Sequence, residues 1–284
     1  MATKKPAPAS TSRAVANWDE ELAKQAAAAA QTEASTATGN FFSLKGGILA
    51  WNDSPMKNNE MAVIILDSVL ENVFYGSDYD PDEPKGPLCF SFGREEKDMA
   101  PHEVVIEAGT EQNETCHGCP MNEFGTADKG KGKACRNVRR MGLISAGTFA
   151  KDGTFEPEED EDAYKDAQLG FLKLPVTSVK GYAAYVKTLA ASLKRPPLGV
   201  FTKISVVPDV KSQFRVTFEA LGNVPNELMA IIMARKPEAV STIDSPYKVD
   251  EVEEKPVKAP VSRKGVVKAP VKAAPAKPVA KRKY

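Results

Sequence analysis

The residues best equipped for chemistry are the four cysteines, Cys89, Cys116, Cys119 and Cys135, spaced C-x26-C-x2-C-x15-C with none left over. Four thiolates around a tetrahedral centre make a structural zinc site, closed to substrate and able to hold a local fold together. In the knuckle Cys116-His117-Gly118-Cys119 the two middle residues turn away from the metal, so His117 is not expected as a ligand. His102 is an alternative to Cys89 as fourth donor. Zinc is the default metal, but Cys119-Pro120 also suits an iron–sulfur cluster, in which a ligand cysteine precedes proline. Thiolate softness alone does not separate the two. The reading without a metal is four ordinary buried or solvated thiols, and the long gap before Cys116 weakens the spacing argument.

The same stretch is basic. Lys129, Lys131, Lys133, Arg136, Arg139 and Arg140 follow Gly125 and surround Gly130 and Gly132, which suggests a loop with exposed backbone N–H groups. Such a surface suits phosphates, and a metal clip would fix its shape. The competing reading is a run of solvated charges or partners for nearby acidic loops. The segment 125–131 also matches G-x4-G-K, but Gly132 stands where Ser or Thr must hold magnesium and no strand leads into it, which excludes a nucleotide-binding loop.

The elements around this stretch are short and strand-rich. Phe41 to Lys45 and Ile48 to Trp51 flank Gly46-Gly47, as a bulged strand or a hairpin, and Asn52 to Pro55 turn the chain. Met61 to Leu66 is an unbroken apolar run, the mark of a strand covered on both faces, and Val69 to Tyr75 continues or pairs with it. An acidic loop spans 76–86, a short strand carries Cys89, and Met141 to Ala146 is a strand leaving the cysteine stretch. Glu156 to Asp162 reads as a disordered acidic loop. Leu169 to Pro175 is a strand. Ser178 is expected to cap a helix whose Val179, Tyr182, Val186 and Leu189 recur at helical spacing, with Tyr182 and Tyr185 in or beside the core. Val200 to Val207 and Gln213 to Leu221 form an antiparallel pair, and Pro225 opens a helix over 226–235 that Pro237 stops.

The chain has 284 residues, 42% hydrophobic and 27% charged, enough to bury one sizeable core or two small ones. Its zero formal net charge hides an asymmetry, because 255–284 carries ten Lys or Arg and no acid, leaving an acidic body. No apolar run approaches the ~20 residues of a membrane span. The N-terminus has no signal-peptide pattern, so a cytoplasmic protein with reduced thiols is expected. Three regions follow: a flexible arm at 1–40 with a possible short helix capped by Asn17, a metal-containing domain at 41–236, and a disordered Lys/Ala/Pro-rich tail at 237–284.

The stretch Cys116 to Gly125 with Gly130 to Arg140 resembles bacteriophage-encoded proteins described as single-stranded-DNA-binding or replication-associated. The likeness extends to Gly46-Gly47, Glu71 to Tyr75, Pro87 to Ser91, and Leu174-Pro175 with Thr177-Ser178. It covers roughly residues 41–220. The resemblance implies a β-rich α+β fold, an OB-like barrel with an inserted metal loop, in the cytoplasm of the host cell. It further implies a non-catalytic partner of single-stranded DNA in phage replication or recombination, with phage replication proteins as further partners. OB barrels combine a basic groove with aromatic platforms on which bases stack, for which the candidates are Trp51, Phe74, Tyr75 and Phe124. The basic tail departs from the acidic tail common in such proteins; it would attract DNA of any sequence through counterion release. Two other classes stand beside this one: a zinc-stabilised scaffold module making protein contacts in a virion or replisome, and an iron–sulfur nuclease-like enzyme. Two histidines and no acidic cluster framed by strand ends leave the enzyme little support.

Overall fold

A computed structural model of the chain describes residues 22, 24–25, 40–76, 86–128 and 130–247. Ten strands lie among them: β1 (Phe41–Ser43), β2 (Ala50–Trp51), β3 (Ser54–Pro55), β4 (Glu60–Phe74), β5 (Cys89–Gly93), β6 (Arg136–Phe149), β7 (Phe155–Pro157), β8 (Gly170–Leu174), β9 (Val200–Asp209) and β10 (Gln213–Asn223). Four helices accompany them within 40–247: α1 (Glu103–Glu107), α2 (Glu161–Asp166), α3 (Val176–Ser192) and α4 (Asn226–Ile243). Leu22, Lys24 and Gln25 are helical and exposed, while the remainder of the helix expected after Asn17 lies outside the described residues. So do most of the acidic loop 76–86, Lys129 and the basic tail.

β4 is the spine. Its apolar run is buried on both faces because alternate side chains enter different cores. Met61, Val63 and Ile65 join a cluster with Tyr182, Tyr185 and Leu189 of α3, whereas Ala62, Ile64 and Leu66 join one with Leu228, Ile232 and Ala239 of α4. The fold is therefore α+β, with helices on both faces of a mixed sheet ordered β10-β9-β4-β6-β8-β1-β2-β3, where β5 also pairs with β4 and β7 with β6. β1 and β2 form the hairpin alternative, and β1 also runs parallel to β8.

The sheet is open, and the expected closure into an OB-like barrel is not seen. Its two ends do approach. Asn59 Nδ2 donates to Gly47 O at 2.6 Å and to Val206 O at 3.4 Å, and a Cβ on Gly47 would lie 3.3 Å from Phe214 of β10. No ladder joins β3 to β10, since β3 has two residues, one of them Pro55, and is bracketed by positive φ at Asn52, Asp53, Asn58 and Asn59.

Three local expectations are corrected by packing. Ser178 lies inside α3 rather than capping it; Pro175 occupies the cap position, and the Ser178 hydroxyl accepts from the Val216 N–H at 2.9 Å. The acidic stretch 156–162 is ordered in part, because Phe155–Pro157 pairs with the end of β6 and Asp160 caps α2. Pro237 does not stop α4, which runs to Ile243 with Pro237 inside it. An interior proline costs about 3 kcal/mol. The buried Ala239 and Ile243 beyond it, with Arg235 donating to the carbonyls of Tyr164, Lys165 and Ala167, offset that cost.

The seat of α4 requires a glycine. A Cβ on Gly142 of β6 would stand 2.8 Å from the Ala239 Cβ and 3.6 Å from Ile243. Gly142→Val is expected to lower stability by about 1–3 kcal/mol through overpacking. Urea unfolding checks this, and an unchanged midpoint would mean that α4 is not so closely seated.

Candidate metal and nucleic-acid site

β4 ends between two cysteines. Cys89 opens β5 opposite Phe74, and Cys135 directly precedes β6, whose Arg136 faces Val73. Cys116 and Cys119 return from the segment between α1 and β6. The Cys116 N–H donates to Met99 O at 2.9 Å, and Cys119 precedes a 3-10 turn over Pro120–Asn122. Asn122 Nδ2 donates to Cys116 O at 3.1 Å, and the Cys135 N–H to Met121 O at 2.8 Å. Thr126 ties the far end, donating to Glu123 O at 2.7 Å and accepting from the Ala134 N–H at 2.9 Å.

All four thiols line one cavity of about 20 Å³, together with Phe74, Phe90 and Met121. That is room for about one water-sized sphere. Burial pushes the Cys135 thiol up to about 12, with the charges of Cys116, Cys89 and Cys119 adding to it. Burial likewise raises Cys89, against a backbone hydrogen bond from Gln112. Four thiolates this close would repel one another, and a divalent cation among them would reverse the sign. Among the described residues no three His, Cys, Asp or Glu side chains already stand as the ligands of a metal ion. The thiols therefore share a cavity without meeting at one centre. His117 is exposed. His102 is occupied elsewhere, its Nδ1 accepting from the Val104 N–H at 3.3 Å and its ring stacked on Phe90.

The lobe between Ala108 and Cys135 has almost no core. Cys119, at 9% exposure, is its one buried residue among those described. Hydrophobic packing thus does little to hold the lobe, and its hydrogen bonds and thiols carry that task.

The basic run divides. Lys131 and Arg136 are exposed, and Lys133 is half-buried. Lys133 donates to Asn122 Oδ1 at 3.2 Å and lies 5.2 Å from the centre of the Phe124 ring, which is 82% exposed. Arg136 lies over Tyr75 at 5.7 Å. Arg136, Arg139 and Arg140 belong to β6 and not to a loop, because β4 pairs with the strand from Arg136 onward. Arg140 is an internal residue. Its Nε meets Glu71 at 3.1 Å, its Nη1 donates to Ser245 O at 2.8 Å, and its guanidinium lies between the rings of Phe92 and Tyr247. Arg139 lies over Tyr182 and forms no ion pair with a described residue, although the charge of nearby Asp67 acts on it. Phe74 lines the thiol cavity. Trp51 packs on Phe42 at 4.4 Å and borders a separate cavity of about 520 Å³.

Comparison with protein-family models, curated proteins and solved structures found no match. Function has to be read from the residues themselves. No helix among the described residues is long and apolar enough to cross a membrane.

Sequence patterns missed Glu71, Lys173 and Tyr247. Glu71 is fully buried and receives Arg140, Lys173 at 3.0 Å and the Tyr247 hydroxyl. Burial, then the Glu71 charge, raises the Tyr247 phenol far above its ordinary range. Tyr247 falls in the region expected to be tail, so the ordered body extends beyond residue 236. The one sequence signal was an acid inside an otherwise buried strand.

Proposed function

We propose that the chain is a non-catalytic protein that takes single-stranded DNA on its cysteine lobe, with a metal ion held by Cys89, Cys116, Cys119 and Cys135 keeping the lobe in shape. The observation that carries this reading is Phe124, an almost fully exposed ring with the Lys133 ammonium beside it on a lobe that also exposes Lys131. An exposed aromatic face beside cations is what an unpaired base and its phosphate require, and each stacked base contributes about 1–3 kcal/mol. Arg136 over the half-buried ring of Tyr75 adds a second cation beside an aromatic at the junction with the sheet. A duplex offers no free base faces, which favours single strands. A closed OB barrel is not needed, since these groups sit on the lobe and at its junction with the sheet.

The metal is supported by two features: four thiols around one small cavity, and a lobe with too little buried surface to hold itself. Zinc is the first choice and an iron–sulfur cluster the second. Phage replication or recombination is the setting suggested by the resemblance of the cysteine motif.

Oligothymidylate titrations over a range of salt test the reading. Phe124→Ala should weaken binding about 5- to 100-fold. Lys131→Ala and Arg136→Ala should each reduce the slope of log K against log salt by about 0.7. A wild-type protein that ignores oligothymidylate at low salt but still captures protein partners would replace this function with that of a scaffold module.

A further inference from the structure

A second cationic feature lies in a break of the sheet. On one side of β4, β9 pairs only with Glu60 to Ile64 and β5 only with Leu70 to Phe74. The intervening residues 65–69 have no strand on that side, and the register against β6 shifts between Ile65 and Asp67. A cleft of about 370 Å³ opens there, floored by residues 65–68 and walled by α3, by Pro196 and Pro197, and by Lys236 of α4. Ligand clefts of this order hold small organic molecules.

Arg139 reaches into the cleft from β6. Its Nη1 donates to Ser68 Oγ at 2.9 Å and its guanidinium lies over Tyr182 at 5.2 Å, but its buried Nε has no hydrogen-bond partner. No carboxylate among the described residues forms an ion pair with it, though the Asp67 charge acts on it. The nearby acid, Asp67, is engaged by Arg94 at 2.7 Å. Lys187 and Lys236 line the same cleft, and neither forms an ion pair with a described residue. Elsewhere in this protein the buried cation Arg140 is matched by Glu71. A desolvated guanidinium without an ion-pair partner is costly, and although Asp67 also lines the cleft its carboxylate is held by Arg94, so the three cations there would attract an outside anion.

We propose that the cleft binds a phosphate monoester, with its phosphoryl group on Arg139, Lys187 and Lys236 and its organic part against Val186, Pro196 and Pro197. A guanidinium donates to phosphate oxygens in a fork, and the two lysines add point charges. The organic part meets the face of α3 and the two prolines, whose apolar surfaces suit a sugar or base. Two sources share this chemistry: a free mononucleotide and the 5′-phosphorylated end of a DNA strand. The cleft is independent of DNA binding by the cysteine lobe.

Calorimetric titration of the full chain with thymidine 5′-monophosphate, thymidine, and oligothymidylates bearing a 5′-phosphate or a 5′-hydroxyl tests this. The monophosphate is expected to bind at least tenfold tighter than thymidine. Arg139→Met should weaken it by about tenfold to a hundredfold. Arg139 also packs on Tyr182, so the double variant Lys187→Met, Lys236→Met provides the second arm, with the unfolding midpoint kept and binding weakened at least tenfold. Phe124→Ala should leave monophosphate binding unchanged, which separates this site from the lobe. Monophosphate binding that both variants weaken supports the free nucleotide as source. A preference confined to the 5′-phosphorylated strand, and lost in both variants, supports the strand end. The proposal is overturned if neither phosphate-bearing probe exceeds its phosphate-free counterpart, or if both variants bind like wild type.

Discussion

Glu71→Ala is expected to lower the unfolding free energy by about 3–5 kcal/mol, because it leaves the mostly buried Arg140 guanidinium without its carboxylate, while the half-exposed Lys173 turns to water. The Glu71 side chain is 0% exposed and that of Arg140 17%. Arg140 and Lys173 reach Glu71 at 3.1 and 3.0 Å, and the Tyr247 hydroxyl donates to the same carboxylate. Without that carboxylate, Arg140 would keep only the carbonyls of Ile243 and Ser245 and two aromatic rings as partners. Glu71→Gln should cost less, since it keeps hydrogen bonds while losing the charge. The loss should be shared by the segment after α4, which Arg140 and Tyr247 pin to the sheet. Urea unfolding of the wild type and the two variants checks the ordering. A loss below about 1 kcal/mol for Glu71→Ala would show that water, and not the carboxylate, satisfies these cations.

The second large effect concerns the thiols. On the proposed metal reading, Cys119→Ser or removal of the metal with a chelator should unfold the lobe over 108–135 while leaving the sheet intact. The two apolar clusters around β4 take no side chain from that segment. Metal affinity becomes local folding free energy, about 10–16 kcal/mol for structural zinc in small fingers. Hydrogen exchange should then show lost protection at the Cys116, Cys135 and Ala134 amides, which are bonded in the folded lobe. DNA affinity should fall at least tenfold, because Phe124 and Lys131 would no longer be held together. Elemental analysis identifies the metal, and absorbance in the visible range would favour an iron–sulfur centre over zinc. Metal-free protein with a fully protected lobe would leave the thiols as ordinary structural residues.

The elements that sequence periodicity found were those whose burial is a local property. Met61 to Leu66 reads as doubly buried because all six residues are apolar, and β4 buries all six. The hairpin of β9 and β10 and the helical face of Tyr182 and Leu189 follow from the same local alternation. The cysteine spacing pointed to a shared site, and the four thiols line one cavity. Pro237 misled because a helix propensity is local while the compensating burial of Ala239 and Ile243 comes from the sheet.

By itself, then, the sequence determined the long strands, the existence of α3 and α4 and which of their faces are apolar, and it pointed to one shared site for four cysteines, while α1, α2 and β7 escaped it. Only the tertiary structure decided where the charges go. Lys131, Arg139 and Arg140 look alike in a run of basic residues, yet Lys131 meets solvent, Arg139 reaches a cleft whose one acid, Asp67, is held by Arg94, and Arg140 is neutralised by Glu71. That division depends on the pairing of β4 with β6, which extends the strand back to Arg136 and brings a carboxylate from 69 residues away. The openness of the sheet was equally hidden, because closure depends on whether two distant edges find enough matching backbone. The physical reason is common to both: hydrophobic periodicity is written into neighbouring residues, whereas ion pairing and strand register are settled by residues that only folding brings together.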